Sequence, residues 1–149
     1  MVKKIPFHPE HLKVMDMRPY EFEKVYPYLP QQMLEYYASM EFSSTLMIDG
    51  QIITCLGLVP LWEGVYEVWQ IPSIYVEKHK LEYVKIFRQM MNTYAEKFKI
   101  HRLQTHSPAD DFHNAWMEFM GFTLEGTLKQ YSRFKEDFNI WARRFNYGS

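Results

Sequence analysis

At 149 residues the chain is long enough for one domain with a substantial core, and 47% hydrophobic with 17% aromatic residues exclude disorder. Lys and Arg number 17 against 18 Asp and Glu, a formal net charge of -1, so there is no basic field for nucleic acid or an anionic membrane. A single cysteine excludes an internal disulfide, and no charge-free stretch is long enough to span a bilayer.

Residues 1–10, with Pro6 and Pro9, read as a leader. Met-Val-Lys-Lys is followed by Ile-Pro-Phe-His-Pro rather than an apolar run, so a secretory signal is not expected, and the chain reads as a soluble cytoplasmic protein. Leu12 to Met17 is rich enough in Leu, Val and Met for a first strand. Pro19 suits a first helical turn, with Glu21 and Glu23 behind it and Phe22, Val25 and Tyr26 on one face. A second short helix over 31–40 stacks Met33, Leu34 and Tyr37.

Asp49-Gly50 between Leu46-Met47-Ile48 and Gln51-Ile52-Ile53 is a hairpin signal, since both residues accept the positive φ of a tight turn. The second strand runs on through Cys55 to Val59, apolar enough for a strand covered on both faces, and Pro60 is expected to end it. Cys55 inside this run reads as a buried structural thiol. After Trp62-Glu63-Gly64, the alternation of Val65 to Ile71 marks a third strand and completes a meander.

From Lys78 to Phe98 the period lengthens to that of a helix, with Leu81, Val84, Phe87, Met90, Met91, Tyr94, Ala95 and Phe98 on its apolar face. A short strand spans Leu103 to His106. Asp110 and Asp111 open a further helix with Phe112, Ala115, Trp116, Phe119 and Met120 on one face, and Gly121-Phe122 closes it. Thr123 to Ser132 then pairs with 138–145 across a loop containing Lys135, Glu136 and Asp137, and 146–149 read as a tail. The six histidines, His8, His11, His79, His101, His106 and His113, lack metal-ligand spacing, so no metal is expected. No phosphate loop, dinucleotide fingerprint or nucleophile elbow occurs.

A helix ending in Gly121-Phe122, then Glu125-Gly126 and a strand holding Tyr131, resembles the last helix and strand of the GNAT acyltransferases. The whole order (strand, two helices, three-strand meander, long helix, strand, helix, hairpin) is similar to that fold. The resemblance implies a single α+β domain over 1–149 with a mixed, mostly antiparallel central sheet. It also implies transfer of an acyl group from acetyl-CoA directly to an amine, carried by a small molecule or a peptide. In that family the cofactor's pantetheine arm lies where the meander's last strand splays from the strand after the long helix. The positions concerned are Trp69, Gln70 and Ile71, with Lys78, His79 and Lys80 for the phosphates. The phosphate loop of the family contains glycine; 73–83 contains none, and side chains with Cβ atoms hinder close backbone approach.

The family's acidic tyrosine, five positions before the Phe of Gly-Phe, falls here on Met117, which cannot donate a proton. Tyr131 or water is left for that role. Glu67 and His106 are the candidates for taking the amine proton; as residues alone, Glu67 also fits the outward half of an alternating strand and His106 a strand end. The departures suggest a narrower likeness, to small GNAT-like proteins of short-tailed bacteriophages associated with virion assembly. It rests on 78–99, 111–125 and 138–141. That second reading implies a catalytically silent binding surface for a virion or host protein, and a homodimer is compatible with either reading.

Overall fold

Asp49 and Gly50 take φ of 52° and 76°, as a tight two-residue hairpin demands, and join two strands that are neighbours in the sheet. In this computed structural model, which describes residues 1–146, the strands are β1 (Val2–Pro6), β2 (Ser44–Ile48), β3 (Gln51–Trp62), β4 (Val65–Pro72), β5 (Arg102–Pro108), β6 (Thr123–Leu128) and β7 (Phe138–Arg144). They form one sheet in the order β1-β2-β3-β4-β5-β7-β6. The pairs β1 with β2, β2 with β3, β5 with β7 and β6 with β7 are antiparallel, while β4 with β5 is parallel. The helices are α1 (His11–Val14), α2 (Pro19–Lys24), α3 (Gln31–Ala38), α4 (Lys80–Phe98) and α5 (Asp111–Met120), with a 3-10 turn at Tyr26–Tyr28. The expected α+β class and the meander are therefore present. Of the expected tail, residues 147–149 lie outside the described residues.

The chain packs as two compact units, Met1–Val59 with Val68–Tyr83, and Pro60–Glu67 with the chain from Val84 on. In the first, Phe7, Leu12, Met15, Leu34, Cys55 and Ile71 form a buried cluster against which Tyr37 and Trp69 pack. The expected leader at 1–10 is instead strand β1, paired from Val2↔Ile48 to Pro6↔Ser44. Only Val2 and Ile5 are half-buried in it, and Lys3 and Lys4 face out, as suits an edge strand; this hides the alternation. The strand expected over 12–17 is replaced by α1, because Leu12 and Met15 are buried one helical turn apart.

Phe22 is 62% exposed, and the buried residue of α2 is Glu21, whose carboxylate is paired with Arg18. A paired carboxylate can occupy an interior position that hydrophobicity alone would deny it. Strand β3 also runs through Pro60 to Trp62. Its pairing with β2 stops at Leu56, so the missing N–H of Pro60 removes no bond on that side.

Helix α4 buries Tyr83, Val84, Phe87, Met90, Met91 and Ala95 at steps of three and four, whereas Leu81 is 73% exposed. It begins at Lys80, and 74–79 are turns. In the second unit, Asp110 caps α5 by accepting the His113 N–H at 2.8 Å, and Gly121 closes it at φ 99°. The N–H of Phe122 returns to Met117 O at 3.1 Å, and the Phe122 side chain is buried. The buried face of α5 is Trp116, Met117 and Met120; Ala115 and Phe112 are exposed, Phe112 lying on the first turn at the open end of the stripe.

Candidate active site

Gly64, with φ of 80°, turns the chain from β3 into β4. Its carbonyl accepts two N–H groups, from His101 at 2.9 Å and Arg102 at 3.1 Å, and the His101 ring lies where a Cβ on Gly64 would be. Only glycine fits both the φ and the contact. This staple sets the parallel register Val65↔Arg102, Tyr66↔Leu103 and Glu67↔Gln104. Glu67 and Gln104 therefore share a sheet face, and His106, two residues further along β5, lies on the same one.

The result is a contact between two residues 39 apart in the chain. His106 Nδ1 lies 2.9 Å from Glu67 Oε1, with the two side chains 19% and 30% exposed. The approach is off the line of a hydrogen bond, and Glu67 Oε1, itself shut off from solvent, receives no hydrogen bond from the described residues. A carboxylate oxygen in that condition favours a donor being brought to it.

The third member comes from the loop between β6 and β7. Tyr131 stacks on the His106 ring, centroids 5.3 Å apart and planes 10° from parallel, and meets Phe138 at 5.4 Å. The loop holds itself in place. Tyr131 N–H donates to Glu136 O at 2.9 Å, Gln130 N–H donates to Asp137 Oδ1 at 2.9 Å, and Ser132 Oγ accepts from Phe134 N and Glu136 N. The Gln130 N–H, then the Lys129 ammonium, holds the Asp137 carboxyl below its usual range.

Further along this face, Arg102 donates to both oxygens of Glu125, at 3.1 and 2.8 Å, and to Gln104 Oε1 at 3.0 Å. The Arg102 bond holds the Glu125 carboxyl low, with Arg144 adding to the effect. The guanidinium of Arg102 is thus matched by a carboxylate.

The residues expected at the cofactor lie in the first unit. Trp69 stacks on Tyr37 at 4.7 Å and 15° and meets Phe7 edge-on at 5.1 Å; its indole N–H is buried without an acceptor. Gln70 Oε1 accepts the Tyr83 hydroxyl at 2.7 Å, and Ile71 is in the core. Trp69 and Ile71 thus pack within the first unit, and Gln70 Oε1 is held by the Tyr83 hydroxyl. Lys78 and Lys80 are exposed. His79 is 9% exposed at its side chain, with Nδ1 3.4 Å from Glu82 Oε1 and Nε2 buried without a partner.

Bound acetyl-CoA would need donors for its phosphates, and the start of α4 has them. The backbone N–H groups of Glu77, Lys78, Leu81 and Glu82 donate to no group among the described residues. Those of Tyr75, Val76, His79 and Lys80 are used within the turns. The stretch fits a diphosphate through four free N–H groups and the lysine charges. Met117, at the family's usual tyrosine position, is 5% exposed and packs in the core. Among the described residues no three His, Cys, Asp or Glu side chains gather as a metal site, and no helix is long and apolar enough to cross a membrane.

Glu67, His106 and Tyr131 were identifiable as residue types on expected strands, but the strand expected through Ser132 ends at Leu128, which leaves Tyr131 in the loop. The Gly64 staple, the Arg102–Glu125 pair and the Phe138 wall were not. Trp62-Glu63-Gly64 signals a turn, but no local pattern ties it to His101.

No protein-family model and no curated protein matches the chain by sequence. Solved structures do match by fold. Ard1 from Thermoplasma volcanium superposes with a TM-score of 0.74 at 9% identity over 96% of this chain and 97% of that one. A GNAT-family acetyltransferase from Bacillus anthracis gives 0.68 at 14% identity over 96% and 94%. A ribosomal L7/L12 alpha-N-protein acetyltransferase, solved in complex with coenzyme A, gives 0.59 at 19% identity over 70% and 62%. At these identities the likeness establishes the fold, which is that of the GNAT acetyltransferases.

Proposed function

We propose that this protein is a coenzyme-A-dependent N-acyltransferase that acts on an amine by direct transfer. The Glu67–His106 contact, 2.9 Å long and built by the register of β4 on β5, carries the reading. The fold supports it, because several solved structures that share it are named as acetyltransferases and one was solved with coenzyme A.

An amine arrives at neutral pH as an ammonium and cannot attack until it loses a proton. Glu67 attracts that cation, and His106, touching the same carboxylate, accepts the proton. The negative charge of Glu67 then steadies the resulting imidazolium. The stacked Tyr131 ring holds the imidazole plane. When bound, acetyl-CoA supplies the activated acyl carbon, and Lys78, Lys80 and the free N–H groups at the start of α4 would hold its phosphates. Without glycine there, binding leans on charge and weakens with salt.

Calorimetry with acetyl-CoA, followed by an assay of thiol release with primary amines, tests the reading. Saturable binding, weakened by Lys78→Ala and Lys80→Ala, is expected. Glu67→Gln and His106→Ala should each lower turnover by roughly 10²-fold or more, with cofactor binding unchanged. No binding at millimolar cofactor by the folded protein would overturn it. That outcome would favour the second reading, a catalytically silent protein-binding fold, which the burial of Met117 and the glycine-free turn support.

A further inference from the structure

We infer that the Glu67–His106–Tyr131 site takes a primary amine with one positive charge on an apolar, preferably aromatic, carbon body. This deepens the acyltransferase reading and rests on it for turnover, but not for binding.

The single charge follows from the groups on this sheet face. Glu67 Oε1 is a carboxylate oxygen with no hydrogen bond, on a side chain 30% exposed, so rotation about its last bond can turn it toward an ammonium. On the Arg102 side the carboxylate is Glu125, already taken by Arg102, and on the Tyr131 loop Asp137 is bound by Lys129 and the Gln130 N–H while Glu136 Oε1 accepts from Ser132 Oγ. Arg102 and Arg144 face one another in the β5–β7 register, four residues from His106 on β5. At about 3.3 Å per residue they stand roughly 13 Å from it. A second cation reaching in that direction meets two guanidiniums and one carboxylate that is already paired.

The apolar body follows from the other direction. His106 pairs with Ile140 and Pro108 with Phe138, so apolar side chains continue the same face beyond the imidazole. Tyr131, 52% exposed, offers an aromatic surface at its edge, on a loop whose hydrogen bonds are already made. Gly126 opposite Ile140 leaves the strip without a side chain on β6, and a Cβ there would meet only Ile140 Cγ2, at 3.8 Å. A preformed aromatic surface beside a carboxylate oxygen without a hydrogen bond suits an ammonium on an aromatic skeleton, because little order has to be imposed on binding.

The test is binding without an acyl donor, followed through the His106 imidazole C–H signals in NMR, with 2-phenylethylamine, methylamine, 3-phenylpropionate and spermidine as probes. Saturable shifts with 2-phenylethylamine, at least tenfold tighter than with methylamine or spermidine and absent with 3-phenylpropionate, are expected. Glu67→Gln should weaken 2-phenylethylamine at least tenfold. Gly126→Val, which fills the strip without strain at the backbone, should weaken it similarly and leave methylamine unchanged. Equal binding of the anion, tighter binding of spermidine, no binding of any amine, or indifference to both substitutions would each overturn the inference. Preferred acetylation of spermidine would overturn it while leaving the acyltransferase reading intact. Amine binding without any transfer would do the reverse.

Discussion

Cys55 is fully buried, with the Thr45 hydroxyl 3.4 Å from its sulfur, and burial pushes its thiol up to about 12. A neutral, inaccessible thiol is a poor nucleophile. The folded protein at pH 8 should leave a disulfide reagent such as Ellman's unreacted, and one equivalent should react on adding denaturant. Prompt native reaction would show that the β3 interior opens. Tyr131 offers a contrast at the same scale, because it meets His106 through its ring face. Tyr131→Phe keeps the stack and removes the hydroxyl; Tyr131→Ala removes both. If the ring positions His106, the Phe variant retains turnover and the Ala variant loses about 10²-fold, as small misplacements of a catalytic group do. Equal losses would assign the hydroxyl a chemical part, as general acid. The NMR signal of His106, displaced by the ring current of Tyr131 in wild type and Tyr131→Phe, should move only in Tyr131→Ala.

Among elements, β3 and β4 show how a missing side chain positions an indole. A Cβ on Gly57 would lie 2.7 Å from Trp69 Nε1 and 3.1 Å from the Cα of Ser43, and the second of these is backbone that cannot swing aside. Gly57→Ala should therefore destabilise the protein by about 1–3 kcal/mol, the usual range for overpacking. Urea denaturation followed by tryptophan fluorescence would measure that and report displacement of Trp69 from Tyr37. Elements with local punctuation were legible in the sequence: Asp49-Gly50, the Asp110 cap and Gly121-Phe122 need only their own neighbours. Strand β1 was not, since its two lysines face out and its partner lies some 40 residues downstream. Periodicity also names a stripe without saying how far its cover extends, which is why Phe22, Leu81 and Phe112 emerge exposed.

For the whole molecule, acid should act in two steps. Burial, then the nearby His8, holds His11 below its ordinary 6.5. Its Nδ1 accepts the His8 N–H at 3.2 Å and lies 2.8 Å from the Thr45 hydroxyl oxygen. The unfolded chain takes up that proton more readily, so stability rises with pH and is lost as pH falls below about 6.5. Glu125 and Asp137 have lowered values, so their contribution is present above 4.5 and 3.8 and is lost as pH falls through their folded values. Urea midpoints from pH 8 to 3 should decline first near 6.5 and again below 4.5, and His11→Gln should remove the first decline alone. The candidate site belongs to this scale too. Glu67 and His106 could be nominated from the order of elements, but their contact depends on a register set by Gly64 and His101, 37 residues apart.

The Gly64 staple also has a consequence in time. A ribosome makes the turn and Glu67 well before His101 exists to hold them, and Tyr131 follows Glu67 by 64 residues. At about 5–20 residues per second, the three side chains are all available only some 3–13 s after Glu67 is made. Until then the Gly64 carbonyl lacks both of its donors and the carboxylate lacks its imidazole. A nascent chain stalled before residue 101 would therefore carry Glu67 without the imidazole it meets in the folded protein.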